Sequence, residues 1–432
     1  MRTSNVFFVG TPAEVEHHIR PVTNELEVRI VDADKIASVA KAGDVALFFS
    51  EHFDRFRRSI VELKQNNVAT IYLIDGILEW RNAWENRSDE VACPFAMRPV
   101  LSHKVACIGE NQARILNGWG NSGKTEIVGV PRFDRYGVEP ASDVVQERQN
   151  CFRVLVMTAK TPAFTDEQWA TVRQSIADCK SFADANVDSF KFSWRLTSGL
   201  NQHVGVENSI SDLTGMQLHD QLKNVDAVLC TPSTAVVESM LAGKPTALLN
   251  YFDCPSYLNL AWNVNHASQL GPAIDQLKQA DQRKLHFQSQ QLQQILYRES
   301  PASQRLIALV RMMQKTAMEQ VANGEFLSFA PNMLPQPVAS TIGFDSKAMF
   351  PMTGEFKETD FVQTQTQLAH ARRHIDHLDH RILELESELK QAHKIFDEIH
   401  EHPIAGPIVR IRERLLTTLK TMKRNPQPNQ SS

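Results

Sequence analysis

"AVLCTPSTAVVESMLAGKPTALLN", residues 227–250, contains a complete strand-helix-strand passage. An apolar run ends at Thr231, Pro232 kinks the chain, and Ser233 and Thr234 open a helix. That helix stops near Gly243, before Lys244-Pro245 and a second apolar run. Two apolar strands joined through a helix pair in parallel and are covered on both faces. The helix N-terminus then lies at the carboxyl end of the first strand, where hydroxyls and free amides suit a phosphate. Glu238 stands about one turn into the same helix, where a carboxylate can accept bonds from ribose hydroxyls. A plain helix cap followed by a solvated Glu would use the same spacing.

The same rhythm extends outward. In the first half, apolar runs at 5–10, 44–50, 68–75, 103–109 and 125–130 alternate with amphipathic stretches. The second half restarts with "FRVLVMTA" (152–159), a helix over about 165–184 and "VDSFKFSWRL" (187–196). Then come "HVGVEN" (203–208), a helix "TGMQLHDQLKNV" and the passage above, with helices continuing to about residue 322. The chain therefore divides into an N-terminal α/β domain (1–137), a polar linker (138–150) and a second α/β domain (151–322). Pro- and Gly-broken chain fills 323–360.

A different periodicity follows. Leu368, Ile375, Ile382, Leu389 and Phe396 are spaced by seven, as are Ala371, Leu378, Leu385, Ala392 and Ile399. These are the a and d positions of a coiled coil over 361–400, which implies self-association or a partner helix. His370, His374, His377 and His380 fall outside the seam; a metal site there competes with simple solvation. In the tail (401–432), the stretch 403–425 sets Arg410, Arg412, Arg414, Lys420, Lys423 and Arg424 against Glu413 alone, with Ile408, Ile411, Leu415, Leu419 and Met422 on one face. A basic amphipathic helix of this kind suits either an anionic membrane surface or packing with a solvated basic face.

Composition narrows the function classes. A chain of 432 residues with 42% hydrophobic and 22% charged residues is soluble, globular and too long for one core. A net charge of -4 gives no reason to expect nucleic acid as a partner. The six cysteines stand singly, with no C-x-x-C pair, and no run of 18 apolar residues or signal-like N-terminus occurs. A cytoplasmic protein with buried thiols follows. "GWGNSGKT" (118–125) matches the phosphate-loop pattern G-x-x-x-x-G-K-T, but a helical stretch precedes it and the strand "EIVGV" follows. Helix, loop, strand is the reverse of what a phosphate loop needs, so a Gly/Asn/Ser turn is expected.

"TPSTAVVESMLAGKPTALL" resembles the donor segment of GT-B glycosyltransferases, and "HKVACIGENQARIL" with "EIVGVPRFD" is similar to the end of the first domain in bacterial surface-carbohydrate enzymes. CDP-glycerol glycerophosphotransferase-like proteins, capsule transferases and the UDP-N-acetylglucosamine 2-epimerase-like group are such relatives. The resemblance spans roughly residues 1–320. It implies two Rossmann-like domains of GT-B type, followed here by the coiled-coil helix. It also implies transfer of a sugar or polyol phosphate from a nucleotide-activated donor, with no separate cofactor, to a saccharide acceptor. Ser233 and Thr234 are then implied at the phosphates and Glu238 at the ribose. Arg195, ahead of Lys191, is implied at the diphosphate.

Several relatives carry a His-Gly pair where this chain has Asp75-Gly76. Asp75, Glu79 and His103 are therefore the candidate bases, with Arg132 and Asp134 of "PRFD" near the cleft. No Asp-x-Asp metal motif occurs, so the helix N-terminus and a basic residue are expected to stabilise the leaving group. A sugar-nucleotide epimerase and a non-catalytic nucleotide-binding coiled-coil scaffold are the alternatives.

Overall fold

The computed structural model describes residues 4–86, 97–136, 151–209, 216–252, 254–337, 358–403 and 405–424. The expected linker 138–150 and the stretch 338–357 lie outside the described residues. The chain forms two compact units, 1–350 and 351–432.

In the first unit, β1 (Val6–Val9), β2 (Val28–Val31), β3 (Val45–Phe48), β4 (Ala69–Leu73), β5 (Lys104–Cys107) and β6 (Thr125–Ile127) form one sheet. The strand order is β2-β1-β3-β4-β5-β6, with every pairing parallel. Between them run α1 (Pro12–Ile19), α2 (Ala33–Val39), α3 (Asp54–Gln65), α4 (Trp80–Glu85) and α5 (Glu110–Leu116). The second sheet contains β7 (Phe152–Met157), β8 (Phe190–Arg195), β9 (Ala227–Cys230), β10 (Thr246–Leu249) and β11 (Trp262–Val264), in the order β11-β10-β9-β7-β8, again parallel. Its helices are α6 (Asp166–Ala185), α7 (Leu200–Val204), α8 (Met216–Lys223), α9 (Thr234–Leu241), α10 (Leu270–Gln279) and α11 (Gln282–Ile295). The central strands β1, β3, β4, β5, β9 and β10 are buried along their whole length, as apolar runs between two helix layers require.

The passage 227–250 folds as its pattern predicts, into β9, α9 and β10. The segment 203–208 does not extend a sheet: its start ends the short helix α7, which Gly205 terminates at φ +68°. "GWGNSGKT" is a turn. α5 runs on into a π-helical turn over Asn117–Asn121, and β6 follows. Buried Asn121 fastens this turn by donating to the carbonyls of Met97 and Leu116 at 2.8 and 2.9 Å. Lys124 donates to the Val100 carbonyl, so the phosphate-loop lysine is committed to the fold.

The last helix of this unit changes the domain boundary that the sequence suggests. α12 (Ala302–Ala322) follows the second sheet in the chain but buries Leu306, Ile307, Val310 and Met313 with Val6, Phe8, Leu47 and Ile71 of the first. Pro301 offers α12 no capping side chain. The Asp134 carboxylate serves instead, accepting the Ala302 and Ser303 amides at 2.8 and 2.9 Å. Asp134 therefore acts as the cap of α12. Gly129, at φ +92°, passes 2.8 Å from the Ala302 side chain when given a Cβ, so only glycine admits this crossing.

Residues 323–337, expected as a free linker, are pinned to the first domain. Leu327, Phe329, Met333 and Leu334 join its core. The fully buried Lys104 ammonium donates to Glu126 at 2.7 Å and to the Ala330 carbonyl at 2.6 Å. Glu126 also accepts the amides of Met333 and Leu334.

The second unit contains α13 (Glu358–Glu401) and α14 (Ala405–Arg424), separated at Pro403. No described helix is long and apolar enough to cross a membrane.

Candidate active site

Parallel strands gather their loops at one end of each sheet, and the carboxyl ends of the two sheets supply a shared cleft. From the first sheet, Asp75 follows β4. Its Oδ2 lies 3.3 Å from His18 Nδ1, 4.0 Å from His17 Nε2 and 3.8 Å from Arg132 Nε. The histidines end α1, with rings 3.7 Å apart. His18 is 5% exposed, against Phe8 and Phe49, while His17 is 45% exposed.

Burial lowers His18 to about 4 despite Asp75, and burial also lowers His17. Burial pulls the Asp75 carboxyl up, but His18, Arg132 and His17 outweigh it and leave Asp75 below its ordinary range. With His18 neutral at pH 7, Arg132 is the charge that holds Asp75 ionised there.

From the second sheet comes Glu238 of α9, 4% exposed. Its carboxylate accepts from Arg132 at 3.1 Å, from the Tyr136 hydroxyl at 2.9 Å and from Arg135 at 3.5 Å. Arg132 thus bridges the two halves, and a second donor of its guanidinium holds the Asp75 carbonyl at 3.2 Å. Burial and Glu238 keep the Tyr136 phenol protonated. Thr234 Oγ1 accepts the Ile77 amide at 3.3 Å, and a Cβ on Gly76 would come within 2.3 Å of that oxygen. Ser233 is extended and makes no side-chain cap, so the first amides of α9 have no hydroxyl on them. Arg195 is buried at the carboxyl end of β8, whereas Lys191 is exposed near its amino end. Lys160 stands close enough to depress both His17 and His18.

Asp75, Ser233, Thr234 and Arg195 therefore stand at or just beyond the carboxyl ends of strands, with Glu238 one turn into α9. Glu79 and His103 hold structural positions. Glu79 caps α4 by accepting the Asn82 amide at 2.9 Å and binds Arg81 at 2.6 Å. That buried arginine reaches across to the Pro162 carbonyl. His103 sits at the amino ends of β4 and β5. Its Nδ1 accepts the Thr70 amide at 3.1 Å, roughly 16 Å along the strand from Asp75. Burial holds His103 at about 3. Glu79 is thus engaged as a helix cap and ion-pair partner, and His103 stands at the opposite end of the sheet from Asp75.

His17 and His18 were missed because "AEVEHHIR" looks like the surface of an amphipathic helix. Their adjacency was the available signal. Together with Asp75 they offer three donor atoms within 4.8 Å of one another. The Arg132 guanidinium already supplies positive charge at that carboxylate, which is what a bound cation would otherwise do.

The histidines also set the acid response. Above pH 6.5 His18 is neutral folded or unfolded and contributes nothing. Below it the unfolded chain takes up a proton that the folded site refuses until about pH 4. Stability should fall across that window by about 3 kcal/mol for His18, with His103 adding a loss of the same sign. Urea midpoints measured from pH 7 to pH 4 test this, and His18→Gln should flatten the slope.

The two facing parallel α/β sheets, with the final helix returning to the first, define a two-domain fold of GT-B type. A Listeria monocytogenes protein classed as a UDP-N-acetylglucosamine 2-epimerase has a similar structure, with a TM-score of 0.50 and 12% identity over 72% of this chain and 96% of that one. The wall teichoic acid polymerase TagF matches with a TM-score of 0.49 and 12% identity over 74% and 90%. MnaA of S. aureus, solved with UDP, matches with a TM-score of 0.47 and 12% identity over 73% and 97%. No protein-family model matches the chain, and no curated protein sequence does either. At this identity the likeness concerns the fold.

Proposed function

We propose that the chain transfers a sugar or polyol phosphate from a nucleotide-activated donor to a surface-polysaccharide acceptor. One observation carries this reading: the Asp75–His17–His18 cluster of the first domain meets Glu238 of the donor-side helix through Arg132. The donor's diphosphate takes the open amides of α9 with Arg195, and its ribose competes with Arg132 for Glu238. On the acceptor side, Asp75 or the half-exposed His17 removes the proton from the attacking hydroxyl. Trp80, Trp84, Trp119 and Tyr257 cluster with centroids 5.1–6.4 Å apart just beyond Gly76. Aromatic faces of this kind suit the apolar face of a saccharide.

A sugar-nucleotide epimerase is the second reading. Such an enzyme needs several titratable groups in the cleft, and His17, His18, Asp75 and Glu238 supply more of them than the sequence suggested. Conversion of a UDP-sugar without any acceptor, followed by proton NMR, would select it.

The primary test is thermal stabilisation by UDP, CDP, GDP, CMP and ATP. At a hundred times its Kd, a nucleotide should stabilise by about 2.7 kcal/mol, a rise of roughly 5–10 °C. Glu238→Gln should abolish the shift for the preferred nucleoside diphosphate. No shift with any nucleotide, or an ATP shift lost in Lys124→Ala, would overturn both readings.

A further inference from the structure

We infer that α13 pairs with α13 of a second copy of this chain as a parallel, in-register, two-stranded coiled coil. The helix runs 44 residues, and its seam residues Leu368, Ile375, Leu378, Ile382, Leu385 and Leu389 are 47–57% exposed. A stripe of this length on a water-facing helix is covered by another helix or it is an aggregation hazard. The residue types choose the number of strands. The central layers place β-branched Ile375 and Ile382 at a, with Leu378 and Leu385 at d, the combination that favours two parallel strands. Ala371 and Ala392 at d fit a narrow two-stranded seam, whereas the wider axis of a trimer would leave voids at those layers.

Flanking charge chooses the partner and its direction. In a parallel homodimer each g residue faces the e residue five positions on in the other chain. His374 then meets Asp379, Arg381 meets Glu386 and Glu388 meets His393, with no like-charged pair between 367 and 400. In the free helix Arg381 lies on Glu384 of its own chain at 2.7 Å, an exposed pair that yields readily to a second carboxylate. Turning one strand round with full overlap would set Arg381 against Glu388 but also Asp379 against Glu386 on both sides. The parallel orientation is the one that brings opposite charges together without a like-charged carboxylate pair.

The test uses the full chain. Sedimentation equilibrium should give about twice the 48.8 kDa chain mass. Ile382→Cys places two thiols across an a layer in the parallel dimer, so mild oxidation should give a linked dimer. Lys390→Cys, on the outer face, and the unaltered chain should not. Arg381→Glu and Glu386→Arg should each weaken dimerisation about tenfold, and mixing the two variants should restore it by pairing opposite charges. A monomer, a trimer, or linkage only between Ile382→Cys and Leu385→Cys chains would overturn the inference. Nucleotide binding by the first unit is a separate readout that none of these outcomes changes.

Discussion

A Lys104→Met chain is expected to lose about 3–5 kcal/mol of unfolding free energy. Lys104 and Glu126 are both fully buried, adjacent on β5 and β6, and joined at 2.7 Å. The methionine fills the space of the lysine stem but leaves the Glu126 carboxylate in an apolar core with only the Met333 and Leu334 amides as donors. It also removes the donor to the carbonyls of Gly123 and Ala330. Because those contacts hold residues 323–337 against the first sheet, limited proteolysis should cut that stretch before the core unfolds. Adding Glu126→Leu should recover part of the loss, since an apolar pair of similar volume avoids burying charge. Equal stability of the single variant and the unaltered chain, by urea titration, would mean that the segment is not anchored through this pair.

Much of the fold was legible because buried parallel strands carry their own signature. Runs such as "DVALFFS" and "AVLCT" are apolar without alternation, and they became β3 and β9. β2 and β11, which the pattern did not reveal, are edge strands. "VRIV" and "WNV" interrupt their apolar residues with Arg29 and Asn263, which face solvent at the sheet margin. The order of helix, turn and strand around residue 118 disposed of the phosphate-loop pattern, and that inference required only local periodicity. Long-range partners left no such trace. Nothing near Asp134 announces that it caps a helix starting at Ala302, and nothing near Lys104 announces Ala330. For the same reason the residue types at 233–238 pointed to a phosphate and a ribose, while the prior claim of Arg132 and Tyr136 on Glu238 was invisible. Asp75 is legible because it stands, at the end of an apolar run, where resembling proteins carry a His-Gly pair. His17 and His18 approach it through the packing of α1, which no spacing encodes.

Replacing Asp75 by Asn should lower the transfer rate by about 10²–10⁴-fold while leaving nucleotide stabilisation in place. The substitution keeps the shape of the side chain but removes the negative charge that His17, His18 and Arg132 face. Glu238 keeps Arg132, Tyr136 and Arg135, so the donor side is not disturbed directly. The pH profile separates Asp75 from His17 as the group that takes the proton. Both have depressed values, so the acid limb of kcat/KM should lie below pH 6.5 in the unaltered chain, because the base must be unprotonated to work. If Asp75 is the base, His17→Gln leaves that limb in place and costs little. If His17 is the base with Asp75 orienting it, His17→Gln is as damaging as Asp75→Asn. In that case the charge of Asp75 also matters through His17, and Asp75→Asn should move the acid limb to lower pH because the imidazolium loses its counter-charge. A variant with unchanged rate and unchanged acid limb would remove this cluster from the chemistry and leave Arg132 and Glu238 as a structural bridge between the two domains.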